Sequence, residues 1–294
     1  GELTPGKSSD YISKTTLVAP APKKTQAPLW DKFLHQATRG DDEMRSFLQR
    51  WAGYCLTGEV SEEVLTFLYG DGGNGKGVYA GTIARILGSY MVPMPIEVFA
   101  GGGRHNMEYY RAQMAGARMV TASETEGGRT WAESQIKELT GNETDVSARQ
   151  PHGRVFRYWP QAKLMFIGNH APSLKGTSPA MERRLRIVPF NNKPKERNLQ
   201  LKEALVAEYQ AILRWAIEGC LAWQEQGLGT AKVIQLASSK YFADQDVFGR
   251  WIEERCVLGD TLQTPPGKLF ADYRDWCREN GEPKETTMTS QEFA

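Results

Sequence analysis

Gly70-Asp71-Gly72-Gly73-Asn74-Gly75-Lys76 is the stretch whose residue types most narrowly limit the chemistry of this chain. The β-rich run Leu65–Tyr69 precedes it and the helical run Ile83–Leu87 follows. That order of strand, glycine-rich loop and helix is what a phosphate-binding P-loop needs. Glycines let backbone N–H groups turn inward on phosphate oxygens, the helix N-terminus adds its dipole, and Lys76 reaches the outer phosphates. Residues Gly70, Asp71, Gly72, Gly73, Asn74, Gly75, Lys76, Gly77 and Val78 are therefore assigned to nucleotide binding. Gly77 stands where Ser or Thr ordinarily contacts magnesium, so the doubt it raises falls on metal coordination. A glycine-rich surface turn is the plain alternative, and the flanking strand, lysine and helix argue against it.

Two later segments carry groups that could act on a bound nucleotide. After the apolar run Met119–Ala122 comes Ser123-Glu124-Thr125-Glu126. Two residues apart in an extended chain, Glu124 and Glu126 project to the same side. At the end of a core strand one carboxylate, assigned to Glu124, would hold Mg2+ directly or through water, while the other polarises the attacking water. A pair of solvated charges at a strand end is the competing reading. A further run, Leu164–Gly168, ends in Asn169, whose amide can orient water or touch the γ-phosphate. Asparagines also end strands for turn reasons alone.

These groups need a sheet to hold them. Between about 62 and 192, β-rich runs at Val64–Tyr69, Arg118–Ser123, Lys163–Gly168 and Leu185–Phe190 alternate with helical or polar stretches. The pattern predicts an α/β fold with a mainly parallel sheet flanked by helices. Before it, residues 1–28 read as an exposed linker or arm rich in Pro, Lys, Ser and Thr, and 29–61 as a helical segment starting again near Asp41 and Asp42. After it, a long amphipathic helix carries Leu201, Leu205, Ile212, Leu213, Ala216 and Leu221 within a helical segment 193–240. Residues 241–294 read as a small, incomplete module of winged-helix type, with helices carrying Trp251 and Trp276 and another beginning at Ser290. The tryptophans at 30, 51, 215, 223, 251 and 276 fall on apolar helical faces and are assigned to packing. Gly101-Gly102-Gly103-Arg104 reads as a loop.

Composition sets outer bounds. The 294 residues are 40% hydrophobic and 24% charged, enough for a substantial core. No apolar run approaches the roughly 20 residues that span a bilayer. The four cysteines show no C-x-x-C pair, which favours a reducing cytoplasm over a disulfide framework. A net charge of +1 means that nucleic acid would be held by a local patch, or by one patch repeated around an oligomer. The chain starts at Gly1 rather than Met, which reads as an artificial boundary or a processing scar and leaves room for a longer native protein.

Taken in order, Gly70–Lys76, Glu124–Glu126, Ile136–Gly141 and Lys163–Asn169 resemble the A, B, B′ and C motifs of superfamily 3 helicases, and Met181–Phe190 is similar to the arginine-bearing segment of that group. The match is nearest to the helicase half of satellite-phage and poxvirus primase–helicases and covers roughly residues 40–225. The resemblance implies an AAA+-type core, a homo-hexameric ring with ATP and Mg2+ bound between subunits, and one or both of Arg183 and Arg184 as a finger on the neighbour's γ-phosphate, with Arg186, which alternates with Arg184, a third candidate. It implies that the stretch 136–160 projects as a hairpin into a central pore. There Lys137 and Arg149, then His152 and Arg154, would contact single-stranded DNA at a forked duplex. Phe156, Tyr158 and Trp159 could stack on bases, although packing of the hairpin on the core is the stronger reading. A primase domain in the same native chain and a 3′-to-5′ polarity follow from the family alone. Two other readings remain: a replication initiator whose ATP site switches shape without efficient turnover, and a small-molecule kinase, which the B′ and C motifs disfavour.

Overall fold

The computed structural model describes residues 6–10, 12–100, 107–124, 128–174, 178–194, 196, 198–283 and 286–293, with Glu124 described by its backbone. Its centre is a five-stranded sheet. The strands are β1 (Leu65–Tyr69), β2 (Met91–Pro93), β3 (Met119–Glu124), β6 (Lys163–Gly168) and β7 (Leu185–Pro189), in the order β2-β3-β6-β1-β7. Every pairing is parallel. Parallel sheets are covered on both faces, so their strands read as nearly unbroken apolar runs, and β1, Leu-Thr-Phe-Leu-Tyr, is buried up to its last residue. Alternation still sorts the side chains. Leu65, Phe67, Val120, Ala122, Leu164, Phe166, Leu185 and Ile187 enter one core, while Leu68, Met119, Met165 and Val188 enter the other.

The second of these cores is covered by α1 (Pro28–Ala37), α2 (Asp42–Tyr54), α3 (Lys76–Leu87) and α8 (Tyr209–Gln226). The helical stretch around 30–56 is broken once, where Arg39 and Gly40 take left-handed φ values of 56° and 76°. Asp41 then restarts the helix by accepting the Met44 N–H at 2.9 Å. Helices α2 and α8 pack backbone to backbone at Gly53 and Gly219. A Cβ on Gly53 would lie 2.1 Å from the Cys220 nitrogen, and one on Gly219 would lie 2.1 Å from the Gln49 carbonyl oxygen. Ala27 offers no cap to α1. Instead the Glu208 carboxylate, at the foot of α8, accepts the Leu29 and Trp30 N–H groups, each at 2.9 Å.

The opposite face carries α4 (Met107–Met114), α5 (Glu133–Thr140), Trp131 and a two-stranded antiparallel hairpin, β4 (Val146–Arg149) with β5 (Val155–Tyr158). The short helix α6 (Pro179–Glu182) leads into β7, and α7 (Leu201–Ala204) precedes a 3-10 turn and α8. Helix α9 (Lys232–Gln245) lies along the β7 edge, where the Ser238 hydroxyl accepts the Ile187 N–H at 3.0 Å and so satisfies an edge donor.

Three boundaries differ from the sequence reading. Strand β2 was unexpected, since its three residues sit at a sheet edge and are only partly buried. The segment 12–27 is mostly exposed yet tethered: Leu17 donates to the Ile86 carbonyl, Ala21 donates to Gln210, and Arg214 donates to the Ala21 carbonyl at 2.7 Å. The break placed at 240/241 falls inside α9, because that helix continues to Gln245 and Asp246 then caps α10 (Val247–Arg255) through the Gly249 N–H. Helices α10 and α11 (Pro266–Glu279) pack a small separate core around Trp251, Tyr273 and Trp276, joined by α12 (Ser290–Phe293). Among the described residues of this module there is no strand. No described helix is long and apolar enough to cross a membrane.

Candidate nucleotide site

Strand register brings the predicted motifs to one edge of the sheet. Gly168 of β6 lies opposite Tyr69 on one side and Glu124 on the other. Strands spaced about 4.8 Å apart put the tips of β1 and β3 roughly 10 Å from each other, with the end of β6 between them. The loop after β1, residue Asn169 after β6 and the backbone of Glu124 therefore share this edge. Glu126, like the loop 101–104, lies outside the described residues.

Lys76 opens α3 behind Gly75, whose φ of 95° turns the chain from loop into helix. Its side chain is buried, and its ammonium donates to the Gly70 carbonyl, to the Asp71 carbonyl at 3.1 Å, to Asn74 Oδ1 at 3.3 Å and to Asn169 Oδ1 at 3.2 Å. Burial pushes the Lys76 pKa below the usual lysine range; the Asp71 charge opposes that shift and the Lys193 charge adds to it. The Asn74 amide donates to the Phe190 carbonyl, binding the loop to the end of β7. Gly70 has φ 140°, and a Cβ there would lie 2.3 Å from the same carbonyl oxygen. The loop is thus drawn tightly around one lysine.

Beside it opens a cavity of about 450 Å³ lined by Gly72–Val78 and Asn169, within the size range of small-molecule sites. Its far wall was not read from the sequence. Phe33 and Ala37 of α1 line it together with Pro194, Leu199 and Leu201 of the segment after β7, with the polar Gln36, Asn192, Glu196, Asn198 and Lys202 among them. A Cβ on Gly75 would come within 2.8 Å of Phe33 Cε2, so α1 rests directly on the loop. In sequence Phe33 was one apolar helix residue among many, and nothing local marked it.

A divalent ion is compatible with this edge, although its ligands are few. A Cβ on Gly77 would meet nothing within 4 Å, so there is room for a hydroxyl that glycine lacks. Among the described residues no group of three or more His, Cys, Asp or Glu side chains could hold a metal. Mg2+ suits such a sparse setting, since it keeps several waters and takes one or two carboxylates plus substrate phosphates.

The paired arginines lie at the opposite edge. Arg183 and Arg184 immediately precede Leu185, which pairs with Leu65 at the start of β1. Four residue steps along β7 place them roughly 13 Å or more from the loop end of the sheet. Arg184 is 5% exposed, and its guanidinium donates to Glu63 Oε2 at 2.6 Å, Thr140 Oγ1 at 3.2 Å and the Ala180 carbonyl at 3.1 Å. Arg183 is 67% exposed at its side chain, with Glu63 at 4.0 Å.

The stretch between the acidic strand and Asn169 divides in two. Lys137 belongs to α5 and pairs with Glu133 one turn back at 3.3 Å. Arg149, His152 and Arg154 sit at the exposed end of the β4–β5 hairpin, with His152 in a left-handed conformation at φ 57°. Arg149 donates to the Gly153 carbonyl at 3.2 Å, and Arg154 has no hydrogen-bond or ion-pair partner among the described residues. Val146 and Ala148 alternate inward and are fully buried, while Tyr158 donates to the Arg111 carbonyl at 2.7 Å. The hairpin thus packs on the core through β4 and Tyr158. Trp159 does not join that contact and is 58% exposed. Arg157 holds Asp145 in a two-pronged pair at 2.6 and 2.7 Å, which keeps that carboxyl below its usual range.

The fold is mixed α/β with a parallel central sheet, an architecture compatible with a P-loop NTPase-like core. Comparison with known proteins gives it relatives. A family model described as a family of unknown function, DUF5906, matches residues 68–184. The chain is 24% identical over 263 residues to a protein of Acanthamoeba polyphaga mimivirus named as a putative helicase, and 25% identical over 267 residues to one of Frog virus 3 with the same designation. Each alignment covers 82% of this chain and 27% of the relative, so the chain spans about a quarter of those proteins. A third such protein, from Invertebrate iridescent virus 6, is 31% identical over 159 residues, which is 52% of this chain and 16% of that one. Among solved structures, the C-terminal region of NrS-1 shares the fold at TM-scores of 0.57 and 0.58 with 13% and 12% identity, covering 83% of this chain and 62% of that one. The sequence relatives are thus named as putative helicases, and the structural neighbours show the fold.

Proposed function

We propose that this chain is the ATP-driven motor segment of a DNA helicase of superfamily 3 type, built on an AAA+-like core and working as a homo-hexameric ring. The observation that carries this reading is the meeting of Lys76 and Asn169 at 3.2 Å on the mouth of the 450 Å³ cavity. A phosphate-binding lysine and a strand-tip amide from separate motifs converge there, in the cavity that Phe33, Ala37 and Leu199 also line.

In this reading the N–H groups of the loop and Lys76 bind the phosphates, and Phe33, Ala37 and Pro194 enclose the base. Asn169 orients the attacking water, and Glu124, with Glu126 beside it in sequence, accepts its proton or holds the metal. Bound Mg2+ would neutralise charge on the β- and γ-phosphate oxygens. The finger is Arg183. It is exposed and lies at the far edge from its own loop, so it serves a neighbour's site, while Arg184 braces the edge it sits on. Single-stranded DNA meets Arg149, His152 and Arg154 at the hairpin end, with Trp159 available to stack on a base. The 3′-to-5′ direction, action at a forked duplex and a primase domain elsewhere in the native chain extend the same family resemblance.

The test is the ATP hydrolysis rate with and without single-stranded DNA, for the wild type and for Lys76→Ala. The expected result is hydrolysis stimulated by DNA and reduced on the order of 100-fold in the variant. Tight ATP binding with no hydrolysis under any condition would overturn the motor and favour a switch-like initiator, a reading that Gly77 supports.

A further inference from the structure

The segment that follows β7 is fixed at its backbone and loose at one side chain. The Asn191 carbonyl accepts Arg39 Nη2 at 3.1 Å, and the Asn192 side-chain amide donates to the Gln36 carbonyl at 2.6 Å, so the end of α1 and the turn after it hold both. Phe190, one residue earlier, is held by the Asn74 amide. Lys193 therefore leaves the backbone from a fixed point on the cavity rim, between the wall residues Asn192 and Pro194. Its own ammonium points along the rim to Asp71 Oδ2 at 3.3 Å, with side chains 58% and 83% exposed. Asp71 thus touches two cations, Lys193 through its carboxylate and Lys76 through its carbonyl.

We propose that Lys193 is a second phosphate-binding cation acting within its own chain, which exchanges the Asp71 carboxylate for the outer phosphates of the nucleotide. This rests on the nucleotide site proposed above. An exposed lysine–carboxylate pair contributes little, typically about 0–1 kcal/mol, so leaving it costs little. A polyphosphate offers more negative charge and more acceptor oxygens to the same ammonium. Neither Asp71 nor Lys193 lines the cavity wall, so the pair guards the rim without filling the site.

The test is equilibrium binding of ATP, inorganic tripolyphosphate and AMP to the full chain in wild-type, Lys193→Ala, Lys193→Arg and Lys76→Ala forms. Removing one charge-assisted hydrogen bond predicts that Lys193→Ala weakens ATP and tripolyphosphate by about tenfold, with AMP changed less than about twofold. Lys193→Arg should recover most of that affinity. Unchanged tripolyphosphate binding in Lys193→Ala would overturn the proposal, as would an AMP effect equal to the ATP effect. Either result leaves wild-type ATP binding and its dependence on Lys76 in place. Failure of the wild type itself to bind ATP would instead remove the site, and this proposal with it.

Discussion

Buried at the start of β7, the Arg184 guanidinium directs its donors to Glu63, Thr140 and the Ala180 carbonyl. Glu63 in turn sits in a left-handed backbone conformation at φ 51°, which a non-glycine residue adopts at some cost and which this ion pair helps to hold. Removing the buried guanidinium leaves Thr140 and the Ala180 carbonyl without their donor and Glu63, 24% exposed at its side chain, without its counter-charge, a destabilisation of about 3 kcal/mol. Arg184→Ala should therefore lower the thermal midpoint by roughly 5–10 °C, readable by calorimetry. Arg183→Ala should leave that midpoint unchanged, retain ATP binding and lose hydrolysis. Mixing it with Lys76→Ala subunits should restore turnover if the arginine acts on a neighbour; mixed assemblies that form and stay inactive would exclude that role. Gly77 yields a third expectation at this scale. With no atom within 4 Å of its Cβ position, Gly77→Thr adds a hydroxyl without a clash, and a magnesium titration of ATP binding should show half-saturation at a several-fold lower concentration.

Among the elements, the hairpin is where charge and packing separate most cleanly. Val146 and Ala148 anchor it while Arg149 and Arg154 stay exposed, so removing the arginines should spare the fold. Arg149→Ala with Arg154→Ala should weaken single-stranded DNA binding and reduce the slope of log affinity against log salt by about 1 for each phosphate no longer neutralised. An unchanged slope would place DNA elsewhere. The elements that position the loop were legible because long parallel strands announce themselves: β1, β3, β6 and β7 are apolar on both faces, and a P-loop between strand and helix has a fixed spelling. Strand β2 was not legible, since three half-buried residues carry no period. The far part of the cavity lining is hidden in the sequence for another reason. Phe33 and Leu199 are about 165 positions apart, and only the docking of α1, capped from a distance by Glu208, brings them together. Lys137 shows the same limit in reverse. It stands close in sequence to the hairpin but belongs to α5, paired with Glu133.

At the scale of the molecule, the parallel sheet makes the subunit polar. Its strand ends carry Lys76 and Asn169, and its strand beginnings carry Arg183 and the Glu63–Arg184 pair. An isolated chain under this reading holds nucleotide at one pole and keeps its finger at the other. Hydrolysis per subunit should therefore rise with protein concentration and level off once assembly is complete, measured alongside mass by light scattering. Specific activity that is flat from dilute monomer upward would refute a shared site.

Directionality of this kind has a consequence for symmetry. Copies stacked head to tail give each interior subunit one donor and one acceptor face, and the pattern repeats without self-complementary pairing. An open stack always ends with one idle arginine and one unserved pocket. Under the proposed shared site, closure into a circle is the arrangement that leaves neither.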